Sequence, residues 1–262
     1  MNLRDELASR FLRDLLAGAA GRAFVLNQAA VAEATDEGHV FDVVLSAARA
    51  LRGDDAGLDE DPQLDKTIVK HRDDELRHAE LFRGCVARQG VDPGDVPARL
   101  RLVDAIDRET GGVASAPIVD RLGVMRAYLV LQVIEERAVH QFGLVEPAMR
   151  PFDPQSAAVL RSVLDDERRH VKYCRAVSRR YAPDPLTLAE ELGRFRLAEA
   201  RAFRDHSRRN MTHILDAGLV ESPFKTAMWR GVVALSSRSK ELPFTPFASA
   251  TPLDRAPLAF AA

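Results

Sequence analysis

The chain has 262 residues, of which 46% are apolar and 29% charged, and its formal net charge is −2 at pH 7. This composition is ordinary for a soluble globular protein, and a charge so close to zero gives no basic field for nucleic acid. No apolar run approaches the roughly 20 residues that a membrane span needs, and the acidic N-terminus lacks the apolar segment of a secretory signal. The two cysteines form no C-x-x-C pair, which favours a reducing compartment. We therefore expect a cytoplasmic protein that binds neither nucleic acid nor membrane.

Apolar residues recur with helical rather than strand periodicity, which predicts an all-α fold. The predicted helices, in chain order, cover residues 3–16, 23–51, 62–90, 118–144, 155–181, 185–215 and 222–237. A cluster rich in Gly and Asp ends the second helix, and Pro147, Pro151 and Pro154 separate the fourth from the fifth. We interpret the stretch 91–117, rich in Pro and Gly, as a long crossover between two helical pairs.

This pattern divides the chain into four parts. We expect an N-terminal helical extension at 1–22, a four-helix bundle at 23–182, C-terminal helices that pack on the bundle at 183–242 and an irregular tail at 243–262. A long crossover between antiparallel pairs is typical of ferritin-like bundles.

One pentapeptide pattern, D-E-x-R-H, occurs at residues 74–78 and again at 166–170, 92 positions later. In each copy the Glu and the His are three residues apart, so on a helix they project from one face and can hold one ion. Four helices that supply Glu, Glu-x-x-His, Glu and Glu-x-x-His provide the ligand set of di-iron carboxylate proteins. We therefore predict Glu75, His78, Glu167 and His170 as metal ligands.

The fifth ligand is predicted from antiparallel pairing at a constant rise per residue. Glu75 lies about 18 positions beyond a loop centred near Gly57, so its partner should lie near position ~39. Glu37 is the closest acid of suitable reach, and Glu33 and Asp42 remain alternatives.

For the second helical pair, the same estimate points to about position 133. Glu135 is the nearest acid. It interrupts an apolar, inward-facing stripe, where a carboxylate is costly unless it is paired or binds metal. We predict Glu135 as the sixth ligand and expect its neighbour Glu136 to point sideways, toward an arginine or solvent.

The other members of each pentapeptide are predicted to support the ligands. Asp74 and Asp166 could each accept a hydrogen bond from the non-ligating ring nitrogen of the histidine in the opposite copy, which would set its tautomer. Arg77 and Arg169 could in turn pair with these aspartates.

Four further histidines are weighed as ligands. His71 lies one turn before Glu75, where an extra ligand would fit, but a surface or supporting role is favoured. His140 is interpreted as a wall or supporting residue, and His206 and His213 as non-ligands.

These motifs resemble the ferritin-like di-iron carboxylate superfamily over about residues 23–181. D-E-x-R-H in both halves is most similar to its oxygen-activating branch: bacterial multicomponent monooxygenase hydroxylases, the ribonucleotide reductase small subunit and acyl-carrier desaturases. The segment I-E-E-R-A at 134–138 is similar to the third-helix patch of tRNA-hydroxylase-type members, which aligns Glu135 with a ligand. The resemblance implies two Fe ions that activate O2 with electrons from an external donor, a ferredoxin or a reductase.

We therefore expect a di-iron oxygenase or oxidase that hydroxylates, N-oxygenates or desaturates a small-molecule or carrier-bound organic substrate. Carboxylates and imidazoles also suit manganese. No catalytic residue is predicted beyond the metal centre. One alternative is ferritin- or rubrerythrin-like iron oxidation or peroxide detoxification, and a second is a metal-free helical scaffold. A homodimer is one assembly that the sequence permits.

Overall fold

The computed structural model describes residues 3–34, 37–54, 62–113 and 116–238, with side chains left out at 3–4, 37–40, 52–54, 62–64 and 236–238. Within these ranges the chain is all-helical and has no strand, so the predicted all-α class is confirmed. The predicted tail at 243–262 lies outside the described residues.

The α-helices of the described ranges are α1 (Leu3–Leu16), α2 (Ala19–Ala34), α3 (Glu37–Asp54), α4 (Pro62–Arg88), α5 (Leu102–Thr110), α6 (Arg121–Met149), α7 (Pro154–Tyr181), α8 (Pro185–Asp216) and α9 (Pro223–Arg238), with a 3₁₀ turn at Ala98–Leu100.

Several helix ends lie where local sequence signals predict them. Asp153 accepts a hydrogen bond from the Ser156 amide at the start of α7, and Pro154 occupies its first turn. Asp184 accepts hydrogen bonds from the Leu186 and Thr187 amides at the start of α8. These short polar side chains satisfy amides that have no partner inside the helix, so they fix where each helix begins.

Three predictions about the helices were wrong. The single helix predicted over 23–51 is two helices, because α2 ends at Ala34 and α3 begins at Glu37. The predicted crossover at 91–117 does join α4 to α6, but it was expected to lack helix and contains α5, a strongly amphipathic helix whose Ile106 is buried. Helix α6 continues through Pro147 to Met149, since a proline in the last turn removes only one helical hydrogen bond.

The core of the fold is a helical bundle built from two antiparallel pairs. In the first pair α4 packs beside α2 and α3: Arg22 contacts Gln89 near one end, and Arg49 contacts Asp65 near the other. In the second pair α6 packs along α7. The motif helices α4 and α7 also touch each other, which brings the two pentapeptides face to face.

The remaining helices pack on this bundle. Helix α8 lies against α5 and α6, and a buried ion pair joins Arg137 of α6 to Glu199 of α8 at 2.6 Å. The Trp229 indole of α9 donates a hydrogen bond to Asp14 of α1 at 2.9 Å. In the described ranges no single helix is long and apolar enough to cross a membrane; the bent pair 5–16 and 19–34 meets that test only when taken together.

Candidate metal centre

Seven buried acidic and histidine side chains converge between α2, α4, α6 and α7. They form two groups, and within each group the potential ligand atoms all lie within 4.8 Å of one another. The first group consists of His71, Glu75, Glu135 and His170, and the second of Glu33, Glu75, His78 and Glu167. No member is more than 8% exposed. Each group offers the carboxylate and imidazole atoms that a divalent ion needs.

Glu75 belongs to both groups and lies between them. Its Oε1 is 2.8 Å from Nδ1 of His170 and 3.4 Å from Nε2 of His71 in the first group. The same oxygen lies 4.0 Å from Nδ1 of His78 in the second. A carboxylate in this position can bridge two ions.

Glu167 also spans the two groups. Its Oε1 is 3.2 Å from Nδ1 of His78, and its Oε2 is 3.1 Å from Nδ1 of His170. The glutamates of both pentapeptides therefore lie between the histidines of both pentapeptides, because α4 and α7 pack face to face at this level.

The structure brings together five of the six predicted ligands: Glu75, His78, Glu135, Glu167 and His170. The side chain of the sixth, Glu37, lies outside the described residues. Glu33, one of the alternatives, joins the second group, with its Oε2 3.4 Å from His78 Nδ1. The other alternative, Asp42, is instead paired with Arg72 at 2.8 Å.

The break between α2 and α3 explains why the position estimate favoured an acid further along the chain. The estimate assumed one uninterrupted helix with a constant rise of about 1.5 Å per residue. The structure has separate helices α2 and α3 instead, and the acid that reaches the site lies on α2, earlier in the chain than the estimate.

His71 was not among the predicted ligands, and it is fully buried within the first group. A surface position for it is therefore wrong. Its Nε2 lies 3.1 Å from Oε1 of Glu135, and its ring lies against that of His170 with centroids 3.9 Å apart. The available signal was its spacing of four residues before Glu75, which places both side chains on one face of α4.

Each aspartate of the pentapeptides lies beside the histidine of the other copy. Asp166 Oδ2 is 3.2 Å from Nε2 of His78, and Asp74 Oδ2 is 3.5 Å from Nε2 of His170. Since an ionised aspartate can only accept, it holds the imidazole proton on Nε2. The Nδ1 lone pair of each histidine then faces the ligand groups.

Two arginines tie the aspartates together. Arg77 donates to Asp166 at 2.6 Å and to Asp74 at 3.0 Å. Arg169 contacts the same two aspartates, and Lys70 adds a further ion pair to Asp74 at 2.8 Å. Burial opposes ionisation of Asp74, but Lys70 and Arg77 outweigh it and hold the pKa of this carboxyl at about 2. The supporting carboxylate is therefore charged at neutral pH.

Glu136, the neighbour of Glu135, takes no part in either ligand group. Its carboxylate accepts hydrogen bonds from Arg175 at 2.9 Å, from Arg196 at 3.0 Å and from Gln132 at 2.9 Å. This is the sideways direction expected for it. Burial opposes its ionisation, yet the two arginines lower the pKa of Glu136 below its ordinary value.

The glutamates of the site are held too close together for all of them to ionise easily. Burial disfavours a charge on Glu75, but its close contacts with His170 and His71 outweigh it and keep the pKa well below its ordinary value. Burial and the charge of Glu75 raise the pKa of Glu167 to about 8. Burial and the charge of Glu167 raise the pKa of Glu135 well above its ordinary value. A bound cation would offset this repulsion.

A cavity extends from the ligand groups into the helical packing. Its volume is about 170 Å³, and it is partly open to solvent. Four glutamates of the site form one part of its wall, and most of the rest is apolar, with side chains such as Leu26, Ile106, Ile134, Phe142 and Ile214. Organic molecules can therefore approach the carboxylates from this side.

The comparisons with known proteins add no family to this description. No protein-family model, curated protein or solved structure matches the chain.

Proposed function

We propose that this chain is a ferritin-like non-haem di-iron protein that uses O2 to oxidise an organic substrate. The observation that carries the proposal is the pair of overlapping ligand groups that share Glu75 and open into a mostly apolar cavity. Two ions held side by side and accessible to an organic molecule suit an oxygenase or oxidase better than a structural metal site.

The donor set fits the proposed ions. Neither group contains a thiolate, which disfavours structural zinc and iron–sulfur clusters, whereas carboxylates and imidazoles suit iron and manganese. The two groups contain four glutamates, whose charges would together offset those of two divalent ions: Glu33, Glu75, Glu135 and Glu167. His78 Nδ1 and Glu167 Oε1 are buried and make no hydrogen bond. Such atoms are costly to bury unless a ligand or ion satisfies them.

Glu75 and Glu167 would contact both ions. Each of the other five residues would contact only one of the two ions. When bound, a di-iron centre supplies the electrons and the site at which O2 is activated, with an external donor such as a ferredoxin or reductase restoring the reduced state. The protein orients His78 and His170 through Asp166 and Asp74 and surrounds the ligands with packed helices that limit the access of water.

The lining of the cavity favours this proposal over iron storage or peroxide detoxification. An inorganic ion or peroxide needs polar groups along its path, whereas most side chains that line this cavity are apolar. An apolar wall instead binds the hydrocarbon part of an organic substrate, and it can position a C–H or N–H bond beside the carboxylates.

The test is metal content per chain after anaerobic loading with Fe(II), followed by stopped-flow absorbance on mixing with O2. We expect about two irons per chain, as the ligand set implies, and a transient visible absorbance band. Slow conversion to a ferric product without a transient would favour iron handling instead, and a chain that takes up no iron would leave the metal-free scaffold.

Glu75→Gln should remove both ions, because Glu75 belongs to both ligand groups. Glu136→Gln is the matched control: the residue is equally buried, lies next to a ligand and binds arginines rather than the ligand groups. Equal metal loss in both variants would contradict the assignment of the ligands.

A further inference from the structure

Two adjacent side chains on α8 line the cavity, and each has a buried polar atom that makes no hydrogen bond. His206 is 8% exposed and Ser207 is 1% exposed. The Nδ1 of His206 and the Oγ of Ser207 are buried and make no hydrogen bond. Both residues belong to the cavity wall. A buried polar group without a partner is costly, so these two atoms mark a place where a bound molecule can supply hydrogen bonds.

The other buried or half-buried polar groups nearby are largely committed to each other. Gln28 and Asn210 exchange hydrogen bonds at 2.9 and 3.2 Å across the cavity wall. The Arg137 guanidinium is held by Glu199 and lies over the ring of Phe203. His206 and Ser207 therefore stand apart from these pairs as adjacent groups that are able to take a ligand.

We propose that the cavity binds a mainly apolar substrate that carries one neutral oxygen group, a hydroxyl or carbonyl, hydrogen-bonded to His206 and Ser207. The inference rests on the proposed function only in taking the cavity as the substrate site. The apolar wall holds the hydrocarbon part, and the two α8 side chains fix the orientation of the molecule relative to the glutamates.

The chemistry of the pair favours a neutral group over a carboxylate. Burial, together with the charge of Arg209, lowers the pKa of His206 to about 4, so the ring is uncharged at neutral pH. Ser207 is neutral and can both donate and accept. The cavity also touches Arg101, an exposed residue, and an anionic substrate end would bind there rather than at the α8 pair.

The test measures binding to the metal-free full chain by calorimetry, using probes of nearly equal shape. The probes are butylbenzene, 3-phenyl-1-propanol and the anion 3-phenylpropanoate. The deciding quantity is the dissociation constant of butylbenzene divided by that of 3-phenyl-1-propanol. The apolar contacts that the two probes share contribute equally to both constants and cancel in this ratio. Loss of one hydrogen bond should lower that ratio by about tenfold in Ser207→Ala and in His206→Leu.

Ser178→Ala is the matched control, because Ser178 is an equally buried helical serine that is not part of the cavity wall. It should leave the ratio unchanged. An unchanged ratio in Ser207→Ala, or failure of both neutral probes to bind, would overturn the proposal. So would tightest binding of 3-phenylpropanoate with loss of that preference in Arg101→Gln.

Iron content is measured separately on the same preparations. A chain that binds the alcohol through Ser207 but loads no iron would refute the proposed function and leave this inference standing. A chain that loads iron, but whose ratio is unchanged in Ser207→Ala, would refute this inference and leave the proposed function standing.

Discussion

Oδ2 of Asp166 lies 3.2 Å from Nε2 of His78, although the two residues belong to different copies of the pentapeptide. The complementary pair, Asp74 and His170, lies at 3.5 Å. Each half of the chain thus orients a histidine that the other half contributes, so the two motif helices depend on each other for a working ligand geometry.

Asp166→Ala should weaken metal binding about 10- to 100-fold, because His78 loses the acceptor that fixes its ring and tautomer. Asp165→Ala is the control, since Asp165 is an exposed neighbour paired with Arg168. The measurement is an equilibrium titration with Fe(II) or Mn(II) under anaerobic conditions, after circular dichroism has shown equal helix content. Similar affinities for the two variants would refute a supporting role for Asp166.

His71→Gln should reduce metal content from about two ions per chain to about one. The reason is that His71 belongs only to the first ligand group, whereas the second group keeps all its members. His140→Gln provides the comparison, because His140 pairs with Asp5 outside both groups. Retention of both ions in the His71 variant would show that this histidine is not a ligand.

Glu33→Gln and Glu37→Gln together identify the acid contributed from the first helical pair. Glu33 lies in the second ligand group beside His78, so its substitution should lower occupancy of that site. Glu37→Gln should leave metal content unchanged if Glu33 is the ligand. Metal analysis of the two variants side by side decides the question, and the opposite result would restore Glu37, the original sequence prediction.

Gly21→Ala should lower the free energy of unfolding by roughly 1–3 kcal/mol, the usual range for overpacking. An added Cβ at this position would overlap the carbonyl oxygen of Leu15, where α1 and α2 meet. Gly143→Ala is the helical counterpart with open space around the new Cβ, and it should raise stability by up to about 1 kcal/mol. Urea unfolding of both variants checks the sign of each change.

His206 should make the fold less stable as the pH falls below about 6.5. Its pKa is about 4 in the folded chain, lowered first by burial, so the unfolded chain binds more protons between these two values. Stability is therefore retained at neutral pH and lost on acidification, by about 2 kcal/mol from this residue between pH 7.5 and 5. His206→Gln should lose that much less over the same interval in urea unfolding. Equal losses would show that the ring titrates normally.

Most helix positions were predictable because their signals are local. Asp153 with Pro154, and Asp184 with Pro185, mark the starts of α7 and α8 within two residues of sequence. The break after Ala34 was missed, since the apolar pattern continues on both sides and neither flank carries a proline. Helix α5 was missed because its nine residues lie inside a stretch dominated by loop-forming residues.

The site was predictable to the extent that one helix turn or one repeated motif defines it. The spacing within D-E-x-R-H determines which side chains share a face, and the repeat identifies the second helix. The contribution of Glu33 depends on how α2 packs on α4, which no local signal encodes. The cavity, with His206 and Ser207 in its wall, arises from contacts among several helices that are distant in sequence.

The exchange of partners between the two pentapeptides is the pattern that a two-fold axis would create if one helical pair associated with a second copy of itself. Within a single chain, either half can change alone. The position equivalent to His71, 92 residues further on, is Val163, which is buried and apolar. One half therefore presents an imidazole where the other presents a hydrocarbon, and two ions bound here would be chemically distinguishable from each other.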